Sequence, residues 1–466
     1  MADRGIFRVD ARPPYRGEAL SFLHGIRRAL PFSPKPKASG FAQAIAGLDE
    51  GCEERAFAMY AGEFQFKDEI IVTSAFHLFN AQLGSKAWQD YLQDLSWLAD
   101  FSTSKRQLHV HYALRLLGRW NKSKKSRKHI YVISKTLIAL CTHGSELAQS
   151  ADASLRAEFL RIVSETAARV NTLKACTTKE AFLQSVSLLY ATTAFHGLER
   201  YRKPASDMLN STLDQLILQD GGPASREPQD LIDLMSVLLP LQAAMKLNRQ
   251  IFPAAAADAL HRMFPILAMI TQSNKTAALM AFDSDTKPMK LAPQTGFARL
   301  AGGKTSLFVD TKSNFLFDLA IAEQRLFKSN CENAVLSTQA SLHDSANGVA
   351  LQVTSNGERE RIYFLCTDGT DLRVEDRFAS EIEISFDLAP QVKIAATREG
   401  GVMMIAPDQT VWLLSLRGGE ARIEQSGTVL KICSTARDKM NWAFKKQAKI
   451  TKSTPRKKSP EPDLLA

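Results

Sequence analysis

Between about Phe41 and Met280, apolar residues recur at helical spacing: Trp88, Tyr91, Leu92, Leu95 and Leu98, then Tyr112, Leu116 and Trp120, then Leu213, Leu216 and Ile217. Successive helical segments of roughly ten to twenty residues, separated by short polar breaks, predict antiparallel helical hairpins stacked on one another. Near residue 285 the texture changes. From Leu300 onward the apolar runs are short, as in Ser306–Val309, Arg361–Leu365, Glu383–Phe386, Gly401–Ile405 and Val411–Leu414, and turn pairs such as Asp368-Gly369, Glu399-Gly400 and Gly418-Gly419 punctuate them. That pattern predicts an antiparallel β-sandwich. The expected organisation is multidomain, α then β: an N-terminal extension over 1–40, a helical array over 41–285, a β-sandwich over 290–445 and a basic tail over 446–466.

The chain has 466 residues, 45% of them hydrophobic and 23% charged, which allows two or three domains with sizeable cores and excludes a disordered chain. Its formal charge of +10 is concentrated in two places. Seven basic residues lie between Lys445 and Lys458, in a Pro/Ser/Lys-rich stretch without apolar periodicity, and the KSKKSRK run at 122–128 reads as a connecting loop. Without them the body is near neutral, so no nucleic-acid footprint spreads over a folded face.

Six scattered cysteines, none in C-x-x-C spacing, predict reduced and mostly buried thiols. The first sixteen residues lack an apolar h-region, so the reading is no signal peptide and a cytoplasmic location. The richest apolar stretch, Leu231–Met245, contains Asp233 and Pro240 and is too short to span a bilayer.

Among candidate groups, His196 with Tyr190 and Tyr201 could serve proton transfer at a helix end lining a cleft, the plainer alternative being a buried histidine with ordinary partners. His109 and His111 fall about 200° apart on a helical wheel, which argues against a shared metal, and His77 and His343 are isolated. No metal or other cofactor is expected. Gly302-Gly303-Lys304-Thr305 imitates a phosphate loop, but Ala298 stands where a glycine would be required, and a β-turn is expected. Trp88, Trp97 and Trp120 could stack on sugars, yet their spacing makes them core residues.

One resemblance is more specific than this architecture. LILQDGGPASREP at 216–228, LIDLMSVLLPL at 231–241, ALHRMFPILAMI at 259–270 and LAPQTGFARLAGGKTSLFVDT at 291–311 resemble, in order, consecutive blocks of the heparinase II/III-like proteins. The QRLF run at 324–327 through Asn330-Cys331, the DGTDLRVED run at 368–376 and Phe386–Pro390 with Val392 are similar to that family's sandwich blocks.

The resemblance implies an α/α-toroid-like helical array followed by the sandwich, an acidic polysaccharide partner, association with the cell envelope and β-elimination on uronate-containing glycans. Such chemistry needs a base for the C5 proton, an acid for the leaving oxygen and a donor that neutralises the carboxylate. It also implies His and Asn where this chain has Pro223 and Glu227, and His and Tyr where it has Gln294 and Phe297; the family's Ala-His-Ala-Gly run is not recognisable between Asp310 and Ala322. Asp220, Ser225, Arg226 and Gln294 remain as substrate-binding candidates, with Arg226 suited to a carboxylate or sulfate. Alternatively Arg226 and Asp220 form an ion pair that fixes the loop, and Gly221-Gly222 supplies a tight turn. Two readings follow: a polysaccharide lyase, or a catalytically impaired relative that binds acidic glycan or acts as an envelope-associated scaffold.

Overall fold

The computed structural model describes residues 35–48, 51–79, 83–104, 106–123, 129–270, 289–312, 317–321, 324–330, 338–355, 359–379, 381–406, 408–424, 428–436 and 438–447. The expected N-terminal extension up to residue 34, the Lys124–Lys128 part of the basic loop, Cys331 and the tail from residue 448 lie outside the described residues.

By compactness the chain divides into two units, Met1–Thr212 with Pro240–Phe252, and Leu213–Leu239 with Pro253–Ala466. The first is helical. Its elements include Glu53–Tyr60, Lys86–Gln93, Gln107–Lys122, Ala153–Thr172 and Thr178–Ala194. Their starts are chemically specified: Ser85 and Asp152 cap two of them by accepting backbone N–H groups, and Thr177 with Glu180 closes a capping box on a third. Trp88, Trp97 and Trp120 are at most 3% exposed, as core spacing requires.

The periodic run beginning at Trp88 is not one helix, however. Lys86–Gln93 ends before Leu95, which takes φ +64°, and a new helix starts at Leu98. Leu95 is fully buried; its packing holds a backbone conformation that its side chain disfavours. Pro240 has the opposite outcome. It sits inside the single helix Pro228–Leu247, where a proline costs about 3 kcal/mol, offset by the burial of Leu238, Leu239 and Leu241. No helix among the described residues is long and apolar enough to cross a membrane.

Among the described residues, the second unit carries two eight-stranded sheets, antiparallel throughout. One runs in the order Thr338–Ser345, Gly348–Ser355, Arg359–Cys366, Asp371–Phe378, Lys439–Gln447, Val411–Arg417, Val402–Ile405, Lys393–Ala396. The other runs Gly419–Glu424, Val429–Ser434, Glu383–Leu388, Gln324–Asn330, Phe317–Ile321, Thr305–Asp310, Phe297–Gly302, Leu291–Ala292. Alternate residues point inward, as along Thr305–Asp310 and Arg359–Cys366. The two inner faces share one core, in which Phe317 stacks on Trp442 at 5.6 Å and Phe327 meets Phe444 at 5.1 Å. Gly303-Lys304 forms the two-residue turn between Phe297–Gly302 and Thr305–Asp310, so the phosphate-loop imitation is a hairpin.

Candidate functional site

The Leu216–Pro228 segment folds as a small hairpin. Ile217 bridges Pro223, Leu218 N–H donates to Gly222 O at 2.8 Å and Ala224 N–H to Leu216 O at 2.8 Å. Both glycines are required. Gly221 has φ +87°, and a Cβ there would stand 1.9 Å from the Arg262 carbonyl oxygen. At Gly222 a Cβ would stand 1.7 Å from Thr295 Oγ1. Gly222→Ala is therefore expected to lower stability by about 1–3 kcal/mol, read as a shift in the urea midpoint. Thr295→Ala should rescue it only in part, since the Thr295 Cβ itself would be 2.6 Å away.

That close approach lets Asp220 organise the turn that precedes the Phe297–Gly302 strand. Its Oδ2 accepts the Gln294 and Thr295 N–H groups, each at 2.8 Å, and its Oδ1 accepts the Thr295 hydroxyl at 2.6 Å and Gly222 N–H at 3.3 Å. Gln294 answers in the other direction, its Oε1 accepting Gln219 N–H at 2.9 Å. Arg226 does not pair with Asp220. Its Nε donates to Thr295 O at 2.8 Å and its Nη2 to the Asp310 carboxylate, because Asp220 is already saturated by neutral donors. Lys312 completes the knot by donating Nζ to Gln294 O and its N–H to Asp310 Oδ1. Two carboxylates and two cations thus tie the loop to the start of the sheet.

Ser225 is exposed and serves the following helix: its hydroxyl donates to Asp230 and accepts Glu227 N–H at 3.3 Å, ahead of Pro228 at the first helical position. The structure thus brings Asp220, Arg226 and Gln294 together, with Ser225 beside them. Thr295, Asp310 and Lys312 were not legible as partners, since each lies more than 65 residues from the loop in sequence and none has a distinctive motif.

Tyr190, His196 and Tyr201 belong to the helical unit. Tyr190 lies in Thr178–Ala194 and is 1% exposed, Tyr201 is 6% exposed, and burial holds the Tyr201 hydroxyl above its ordinary pKa. His196 is exposed and pairs through its backbone with Gly40. His109 and His111 separate as their spacing predicts: His109 is buried against Ser104 Oγ at 2.8 Å, while His111 lies 3.9 Å from Asp152. Among the described residues, no group of three His, Cys, Asp or Glu is placed to hold a metal ion.

Pro223 and Phe297, which stand where the resemblance implies proton-transfer residues, are both buried, and Phe297 packs against Phe308 at 5.3 Å. Among solved structures the chain superposes on heparinase III with a TM-score of 0.68 and 10% identity, covering 92% of this chain and 89% of that one. The chain has the heparinase III fold. The heparan sulfate lyase HepC from Pedobacter heparinus gives a TM-score of 0.58 at 12% identity, over 93% and 89% of the two chains. No family model matches the sequence, and no curated protein sequence does. The heparinase III fold is therefore shared at 10–12% identity, so few of the residues that fill it are the same.

Proposed function

We propose that this protein is of the polysaccharide lyase type and handles uronate-containing acidic polysaccharide. The observation that carries this reading is the heparinase III fold extending over some nine tenths of the chain, together with an ordered Leu216–Pro228 loop tied to the Gln294–Thr295 turn. β-Elimination on such a glycan would require a proton acceptor at C5, a donor to the leaving oxygen and a cation or amide at the carboxylate. Arg226, 28% exposed, has the fork geometry for a carboxylate or sulfate, with Gln294 and Ser225 exposed beside it. Tyr190, His196 and Tyr201 are the candidates for proton transfer.

A specific observation favours a second reading, in which the protein binds acidic glycan with impaired turnover. Pro223 has no donor, Phe297 cannot exchange a proton, both are buried, and Asp220 is fully occupied in holding the loop. The test is incubation of the full chain with a panel of uronate polysaccharides, following the ultraviolet absorbance of the unsaturated product alongside equilibrium binding. Binding without absorbance change is the outcome expected if the loop has lost its chemistry. Turnover abolished by His196→Ala or Tyr201→Phe would establish the lyase and remove the second reading. Absence of both binding and turnover would defeat the proposal.

A further inference from the structure

A cavity with an aromatic wall and two cationic side chains lies within the helical unit, remote in sequence from the Leu216–Pro228 loop. Its construction begins with Trp88, whose buried ring in the Lys86–Gln93 helix donates Nε1–H to Phe64 O at 3.3 Å and so pins the hairpin of Glu63–Phe66 and Glu69–Val72. Glu69 adds a clamp from the same hairpin, accepting Ser85 N–H and Oγ–H at 2.8 and 2.6 Å at the start of that helix. Fixed this way, Phe66 stacks on Tyr91 at 4.6 Å, one helical turn beyond Trp88.

Beneath the aromatic pair sits Asp100, 1% exposed, which accepts Cys52 N–H at 2.9 Å, Arg55 Nε at 3.1 Å and Nη2 at 2.6 Å, and the Tyr91 hydroxyl at 3.3 Å. Burial, and then the Asp100 charge, hold the Tyr91 hydroxyl above its ordinary pKa, so it stays a donor. The resulting cavity is open to solvent on one side, has a volume of about 640 Å³ and is lined by Arg55, Lys67, Phe66 and Tyr91, together with Cys52, Glu54, Ala58 and Gln65. That volume falls in the range of small-ligand sites, roughly 300–1,000 Å³.

Two features point to an anionic ligand. Among the described residues, no carboxylate lies against Arg55 Nη1 or Lys67 Nζ; the Arg55 fork is held from behind by Asp100, leaving its outer edge toward the cavity, and the Lys67 ammonium lies 5.5 Å from the Phe66 ring. Lys67 also occupies φ +54°, a turn position that glycine fills without strain, so a charged side chain is kept there against its backbone preference. Glu54 and Gln65, both exposed at the side of the cavity, supply acceptors and donors for hydroxyl groups.

We propose that this cavity is a glycan subsite for one uronate residue. The carboxylate would take Arg55 and Lys67, the hydroxyls would take Gln65 and Glu54, and the ring would lie against Phe66 and Tyr91. This assignment rests on the glycan reading above and adds a place in the helical unit where the acidic chain is held.

The test uses the full chain and an oligosaccharide of glucuronate and N-acetylglucosamine, compared with the same oligosaccharide whose carboxyls are reduced to alcohols. Lys67→Gly suits the position, because it removes the charge while relieving the positive φ; thermal stability should hold or rise. Its Kd for the acidic oligosaccharide should rise about tenfold, the order expected for one hydrogen bond to a charged group, with little change for the reduced one. Bound acidic oligosaccharide should also slow alkylation of Cys52, read by peptide mass spectrometry with the exposed Cys176 as internal reference. If the acidic oligosaccharide binds but Cys52 reactivity and the Lys67→Gly affinity do not change, the subsite is wrong and the glycan reading stands. If no uronate glycan binds the protein at all, both fall.

Discussion

Asp376→Ala is expected to destabilise the sandwich unit by about 3–5 kcal/mol, the usual cost of removing one member of a buried ion pair. Asp376 is fully buried in the Asp371–Phe378 strand. Its Oδ1 accepts Arg361 Nε at 2.6 Å and Arg359 Nη2 at 3.4 Å, and its Oδ2 accepts Trp442 Nε1 at 3.0 Å. Arg361, also fully buried, donates Nη1 to Tyr363 Oη at 3.3 Å and is held above its ordinary pKa against the opposing effect of burial, chiefly by the Asp376 charge. Removing the carboxylate leaves two guanidinium groups in an apolar core. Urea unfolding followed by tryptophan fluorescence should show the loss directly. The double change Asp376→Leu with Arg361→Met should recover part of it, since a well-packed apolar pair can replace a buried ion pair. A single-mutant loss below about 1 kcal/mol, typical of exposed pairs, would refute the account.

Asp220→Ala should have the next largest effect, about 3 kcal/mol, because it strands the Gln294 and Thr295 N–H groups and the fully buried Thr295 hydroxyl. Asp220→Asn should lose less, retaining one acceptor oxygen. Amide hydrogen exchange at Gln294 and Thr295 is the specific readout: both should exchange faster in either variant, while strands distant from the turn stay protected. Unchanged protection at these two amides would show that Asp220 does not organise the turn. Arg226→Ala separates structure from binding. Its stability cost should be smaller, since Thr295 O and Asp310 remain able to reach solvent or Lys312; any larger loss in glycan affinity would then belong to its charge.

Much of the α-then-β order was legible because burial imposes a period. Trp88, Leu92, Tyr112, Leu116 and Trp120 repeat as a helix must, and Arg361–Leu365 or Val411–Leu414 alternate or run as sheet strands must. Leu95 and Pro240 show the limit. The first breaks a helix that its neighbours' spacing would continue, and the second fails to break one that its chemistry should interrupt. In both, packing of buried side chains outweighs local preference by an amount no window of sequence contains.

The candidate site divides in the same way. Residue types alone showed that Pro223 and Phe297 cannot transfer protons, since that follows from covalent chemistry. Where Asp220 and Arg226 find their partners did not follow from sequence. Their separation of only six residues suggested a local ion pair, yet Asp220 binds the Gln294–Thr295 turn and Arg226 binds Asp310, 84 residues away. The Arg55–Asp100–Tyr91 cluster was invisible for the same reason, spread as it is over three helices.

The sequence by itself determined the two kinds of secondary structure, their order and the inability of Pro223 and Phe297 to exchange a proton, because periodicity and side-chain chemistry are local properties. Only the tertiary structure decided which charges meet, which glycines must stay bare and where a cavity opens, because each depends on the approach of segments that the chain's own local preferences do not bring together.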